Sequence, residues 1–140
     1  MGAHATKLLR GWLVLNGALD VLPLGLAPIF GAARLPGGLP SLLDFYPAFG
    51  AALDFRHRGV AFHFITCGVL RILAGVHSSP QYSRLAAFSY AMEFFQHAVE
   101  VGVYGSTTFK AAAGCFVVPA VCMALIMNGV LDAKKNVKRE

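Results

Sequence analysis

Apolar segments of about 20 residues follow one another along the sequence, and few folds can accommodate such a chain. They lie at residues 11–30, 59–76, 85–104 and 111–131. A helix of this length crosses the hydrocarbon core of a bilayer, and its backbone polar groups are all paired within the segment. The pattern predicts an all-α integral membrane protein, a bundle of four transmembrane helices forming a single domain over residues 1–140.

The composition agrees with a membrane location. Of the 140 residues, 56% are hydrophobic and 14% are charged, and the mean hydropathy is +0.61. A soluble chain this short lacks the interior volume to bury so much apolar surface. The net charge of +5 does not indicate nucleic acid as a partner. The basic residues lie at the ends of the apolar segments and in the tail, where they suit anionic lipid head groups.

The longest connection lies between the first two predicted spans, at residues 31–58. Within it, residues 41–52 are apolar but too short to cross a bilayer, so we interpret them as an interfacial or re-entrant piece. Shorter loops are predicted at 77–84 and 105–110. Two prolines, Pro23 and Pro28, are expected to kink the first span or to end it early.

Small residues inside the apolar segments predict close contacts between helices. The glycines expected to serve this purpose are Gly25, Gly31, Gly68 and Gly75. The cysteines are odd in number and all lie in apolar segments, so we interpret them as packing residues rather than as a disulfide framework. They are Cys67, Cys115 and Cys122.

Ionisable residues inside the predicted spans are the clearest functional signal. Charged groups in hydrocarbon are unfavourable and are usually paired. With a helix rise of about 1.5 Å per residue, Asp20, Arg71 and Glu93 lie at similar depths in the bilayer. A long arginine side chain can reach both acids, so we predict a buried charge cluster with one base between two carboxylates.

Two histidines lie near this cluster. His63 and His97 fall at one depth and are predicted to pair, and Glu93, His97 and Glu100 share one helix face. These four residues offer ligand types that suit a metal or a proton path. Their spacing matches neither the Glu-x-x-His pair of di-iron bundles nor the His-Glu-x-x-His of zinc proteases. We favour polar contacts that hold the helices in register, and predict no metal, cofactor or catalytic residue.

Beyond the long connection, the residues resemble a known family. The matching features are Arg58-Gly59, Arg71 within the second span, His97 with Glu100, and the turn Tyr104-Gly105-Ser106-Thr107. This pattern is similar to ergosterol biosynthetic protein 28, whose first span also resembles residues 9–14. The best-matched positions are Arg58, Arg71, Glu100 and Tyr104. The family usually has a tryptophan where His63 stands and a histidine where Gln96 stands. The resemblance covers most of the chain except residues 31–55.

The resemblance implies a non-catalytic scaffold in the membrane of the endoplasmic reticulum. Members of that family gather the enzymes that remove methyl groups from sterol carbon four. The partners implied are other membrane proteins in a hetero-complex, together with lipids, sterol among them. No nucleic acid is expected.

Two other functions stay open. One is a structural accessory subunit of a respiratory or ATP synthase complex in the mitochondrial inner membrane. No acidic residue precedes Asp20, and such an N-terminus suits import into mitochondria. The other is a small intramembrane enzyme or transporter, which would use Glu93 and His97 together with His63 and Glu100. Four spans place both termini on one side, and the excess of basic residues there predicts the cytoplasm, or the matrix for a mitochondrial protein.

Overall fold

A computed structural model describes residues 3–30, 55–77 and 79–131, and every regular element in these ranges is helical. The predicted all-α bundle is therefore confirmed for this part of the chain. The predicted interfacial piece at 41–52 and the predicted packing residue Gly31 lie outside the described residues.

Four long helices make up the described chain. Helix α1, Ala3–Leu19, continues directly into a π-helical segment, Asp20–Leu26, and a last α-helical turn, Ala27–Ile29. Helix α2 is Phe55–Val76. Helix α3, Pro80–Val99, continues into a second π-helical segment, Glu100–Tyr104, and helix α4 is Phe109–Met127.

Polar residues start the last two helices. The Ser79 hydroxyl accepts a hydrogen bond from the Gln81 N–H at 3.3 Å, and Pro80 follows at the first helical position, where no N–H is needed. The Thr108 hydroxyl accepts in the same way from the Ala111 N–H at 3.2 Å. Helix α3 therefore begins at Pro80, inside the predicted loop 77–84, because this proline starts a helix rather than marking a turn.

The prolines of the first span change the helix type but do not end the helix. Pro23 lies inside the π-helical segment, where the Ala27 N–H donates to the Leu22 carbonyl, five residues earlier. Proline has no N–H to donate, and its ring clashes with the carbonyl four residues before it in an α-helix. The wider π turn accommodates that clash, and Pro28 lies in the first turn of the final α-helical piece.

Neighbouring helices pack on one another in chain order: α1 on α2, α2 on α3, and α3 on α4. A common apolar core closes the bundle, and it contains residues of all four helices, among them Leu13, Ala74, Tyr90 and Ile126. At one end of the bundle the Thr6 hydroxyl donates to the Val130 carbonyl at 2.7 Å. The start of α1 and the chain that follows α4 therefore lie at the same end.

Glycines bring α1 and α2 into close contact. A Cβ atom built on Gly68 would lie 2.6 Å from the Gly17 carbonyl oxygen, and one on Gly17 would lie 2.5 Å from the Gly68 carbonyl oxygen. Gly75 similarly faces the Arg10 carbonyl oxygen, and Gly25 faces Ile65. Three of the predicted packing glycines thus lie at helix contacts. Gly17 lies at such a contact as well, although it is not among the predicted glycines.

Three described helical stretches are long and apolar enough to cross a membrane: His4–Ile29, Arg58–Val76 and Phe109–Met127. This is compatible with the predicted integral membrane protein. Helix α3 and its π-helical extension, which contain the predicted span 85–104, are not among these stretches. The reason lies in the polar side chains that α3 directs into the bundle, including Ser83, Ser89, Glu93 and His97.

We predict that Gly68→Ala lowers the stability of the bundle by about 1–3 kcal/mol, as overpacking of a close contact does. The added methyl group would overlap the Gly17 carbonyl oxygen, a backbone atom that cannot move aside as the end of a flexible side chain can. Chemical unfolding in detergent micelles, followed by circular dichroism, measures the loss.

Gly59→Ala on the same helix is the matched control, because no atom of the described residues lies within 4 Å of the position that its Cβ would take. It should leave stability unchanged or raise it by up to about 1 kcal/mol through helix propensity. Equal effects of the two substitutions would contradict close packing at Gly68.

Candidate functional site

Arg71 lies at the centre of the bundle with 0% of its surface exposed. One of its terminal nitrogens, Nη1, donates to Asp20 Oδ2 at 2.5 Å, and the other, Nη2, donates to Glu93 Oε2. Both carboxylates are buried as well. The structure therefore brings together the three residues of the predicted charge cluster, with the base between the two acids.

Uncharged groups satisfy the remaining donors of the guanidinium. Its Nε donates to the Ser89 hydroxyl at 3.1 Å, Nη2 also donates to the Ser89 carbonyl at 3.4 Å, and Nη1 also donates to Asn16 Oδ1 at 3.3 Å. A guanidinium has five N–H donors, and all five have a partner here. A fully bonded arginine avoids most of the free-energy penalty that an unpaired buried charge incurs.

Tyr90 adds two further contacts to this network. Its ring centroid lies 3.9 Å from the Arg71 guanidinium carbon, which is a cation–π contact. Its hydroxyl donates to Asn16 Oδ1 at 2.7 Å, so the Asn16 side chain accepts from both residues. Together these contacts connect α1, α2 and α3 at one level of the bundle.

Three uncharged residues of the cluster were not predicted: Asn16, Ser89 and Tyr90. A signal exists, because Asn16 precedes Asp20 by four residues and Ser89 precedes Glu93 by four. Residues spaced in this way share one helix face. A polar residue one turn before each buried acid is therefore the sequence signal that predicts Asn16 and Ser89 in the cluster.

His97 is fully buried on α3, one turn beyond Glu93. Its Nδ1 lies 2.9 Å from the Glu93 carbonyl oxygen. A carbonyl can only accept, so Nδ1 carries the proton and donates. The rings of Phe64 and Phe116 approach the imidazole edge-on, with centroids at 6.4 and 6.5 Å. A backbone contact and aromatic packing thus fix the orientation of His97.

His63 is half-buried on α2, where its Nε2 lies 3.6 Å from the sulfur of Cys67. Its ring also lies edge-on to Phe64, with centroids 6.1 Å apart. The two histidines of the predicted pair therefore share Phe64 as a neighbour.

Glu100 takes part in a different contact. Its carboxylate accepts from the Ser106 hydroxyl, and its carbonyl accepts from the Ser106 N–H at 3.2 Å. The residue is half-buried and begins the π-helical segment, which ends at Tyr104, just before the left-handed Gly105. The remaining family-matched positions, Arg58 and Tyr104, are exposed. Glu100 therefore fixes the turn after α3, where Ser106 provides a partner that helix periodicity does not reveal.

The structure groups a different set of potential metal ligands from the set considered in the sequence. One ligand atom each of Glu93, His97 and Cys115 lies within 4.8 Å of the other two, and all three residues are buried. Cys115 takes the place of His63 and Glu100. Cys115 lies on α4 in an apolar part of the sequence, so the sequence alone indicates a packing residue. Only the packing of α4 against α3 brings it next to Glu93.

An apolar groove of about 850 Å³ lies between α1 and α4 on the outside of the bundle. Its walls include Leu8, Trp12 and Leu15 from α1, and Val117 and Val121 from α4. Within the described chain, the polar cluster and this groove are separate features, because none of the charged residues of the cluster lines the groove.

We predict that Arg71→Leu lowers the free energy of unfolding by about 3–5 kcal/mol, because it leaves Asp20 and Glu93 buried without their common partner. Arg84→Leu, at an exposed position on α3, should change it by less than about 0.5 kcal/mol. Thermal unfolding of both variants in one detergent compares them directly. Equal melting temperatures would refute a structural role for the buried cluster.

Comparison of the chain with protein-family models, with curated proteins and with solved structures gives no match. The resemblance to ergosterol biosynthetic protein 28 therefore rests on the residues of the sequence alone.

Proposed function

We propose that this protein is a non-catalytic membrane scaffold, a helical bundle that holds other membrane proteins in one complex. The observation that carries the proposal is the distribution of polar groups. The buried Arg71 uses all five of its donors on neighbours within the bundle. A group that is fully occupied and 0% exposed is poorly placed to act on a substrate.

The outer surface supports the same proposal. Large apolar side chains are exposed on every long helix, for example Leu8, Phe62, Phe95 and Val117. Such surfaces contact lipid tails or the helices of partner proteins. In lipid, helices associate through packing and polar contacts rather than through the hydrophobic effect. A rigid bundle with apolar faces suits lateral contacts of this kind.

The partner class comes from the resemblance in the sequence. Enzymes that remove methyl groups from sterol carbon four, in the endoplasmic reticulum, are the first candidates. Subunits of a mitochondrial respiratory or ATP synthase complex are the second, because no acid precedes Asp20 in the sequence.

The test is purification of the tagged protein from its native membrane in a mild detergent, followed by mass spectrometry of the proteins that accompany it. We expect a reproducible set of membrane proteins, enriched in sterol C-4 demethylation enzymes, and altered sterols when the protein is lost. Enrichment of respiratory or ATP synthase subunits would retain the scaffold and replace the sterol assignment. A protein that purifies without partners would contradict both.

Two variants control for loss of the fold. Arg84→Leu should retain the same partners as the wild type, because Arg84 is exposed and outside the charge cluster. Arg71→Leu should lose them together with its helical stability. Partners that persist on the destabilised Arg71→Leu bundle would indicate unspecific capture by apolar surface.

A further inference from the structure

The fourth helix places a thiol group beside the buried polar network. Residues 111–127 of α4 carry no charged side chain. Cys115 is buried in this stretch, with 6% of its surface exposed, and its sulfur lies within 4.8 Å of a carboxylate oxygen of Glu93. Glu93 bonds Arg71, which in turn bonds Asp20, so Cys115 of α4 lies next to a network that joins the other three helices.

The charges at this place do not balance. With both carboxylates ionised, Asp20, Arg71 and Glu93 together carry a formal charge of −1, since two acids face one base. An uncompensated charge in a low-dielectric interior is strongly unfavourable. Arg71 cannot supply more positive charge. A proton on one of the carboxyl groups, or a further cation beside Glu93, would restore neutrality.

The residues beside Glu93 have the chemistry of a zinc site. A carboxylate oxygen, an imidazole nitrogen and a thiolate sulfur are the three ligand types that proteins use for this ion. Glu93 bonds Arg71 through Oε2, and its carboxylate has a second oxygen with lone pairs of its own. The ligand atoms already lie within 4.8 Å of one another, so modest side-chain rotation brings them to a common centre.

The backbone contact of His97 fixes its tautomer. Its Nδ1–H donates to the Glu93 carbonyl at 2.9 Å, which leaves the imidazole lone pair on Nε2. Metal-binding histidines commonly have this arrangement, with one ring nitrogen donating to a carbonyl or carboxylate and the other binding the metal. The contact also restricts the rotation of the ring.

We propose that Glu93, His97 and Cys115 bind one zinc ion, which joins α3 to α4 in the middle of the bundle. On binding, the Cys115 S–H bond breaks, a Zn–S bond forms, and the proton is released to solvent. The ion brings +2 and the thiolate −1, so the gain of +1 cancels the −1 of the three charged residues. This inference goes beyond the scaffold proposal and does not depend on which partners the protein has.

The test is titration of the purified, chelator-treated full-length protein with Co²⁺, which takes the tetrahedral geometry of zinc and reports its ligands by absorption. We expect about one Co²⁺ per chain, with visible bands of tetrahedral intensity and a thiolate-to-metal charge-transfer band in the near ultraviolet. Zn²⁺ should displace the cobalt and abolish these bands.

Matched variants identify the thiolate. Cys115→Ala should lose the charge-transfer band and bind Co²⁺ at least about tenfold more weakly. Cys122→Ala, two turns along the same helix and also buried, should bind as the wild type does, and so should Cys67→Ala. Absence of the band in the wild type, or equal binding by the Cys115→Ala and Cys122→Ala variants, overturns the proposal.

Thermal unfolding provides a second readout that does not need an intact variant. Zn²⁺ should raise the melting temperature of the wild type, because an ion that binds only the folded state stabilises it. At the same Zn²⁺ concentration it should raise the melting temperature of Cys115→Ala by less than that of the wild type. A wild type whose melting temperature does not respond to Zn²⁺ counts against the site even if Cys115→Ala fails to fold.

Discussion

The ionic contact of Arg71 with Asp20 and Glu93 determines how three of the four helices fit together. The acids belong to the segment after α1 and to α3, and the base to α2. These groups are buried inside the bundle away from water, so they are stabilised by bonding to one another. Because both carboxylates bond to one guanidinium group, the position of each helix along its axis and its rotation about that axis are fixed relative to the other two. The apolar side chains then fill the space that this arrangement defines.

Close packing of the backbone makes that contact possible. Gly17 and Gly68 touch across α1 and α2, and each lies three residues before a member of the charge cluster, Asp20 and Arg71. Residues three apart share a helix face. The glycines therefore bring the two helices together one turn away from the ion pair. Asp20 also begins the π-helical segment, so the change of helix type occurs where the polar contacts start.

Hydropathy and depth were sufficient to predict the bundle and the grouping of Asp20, Arg71 and Glu93, because a long arginine side chain tolerates errors of several ångströms in helix position. Hydropathy and depth did not predict that Asn16, Ser89 and Tyr90 join the charge cluster, because uncharged polar residues are common in helices. Hydropathy indicates the apolar part of a helix rather than its ends, so it did not predict that α1 begins at Ala3. Cys115 reads as apolar in the sequence, and only the packing of α4 brings it beside Glu93.

If the buried charges serve the architecture, removing all of them together should harm the protein less than removing the base alone. The decisive measurement is the unfolding free energy of Arg71→Leu compared with that of the triple variant Asp20→Asn, Arg71→Leu, Glu93→Gln. We predict that the triple variant recovers at least about half of the lost stability, because no unpaired charge remains in the interior. A triple variant as unstable as Arg71→Leu would contradict the account.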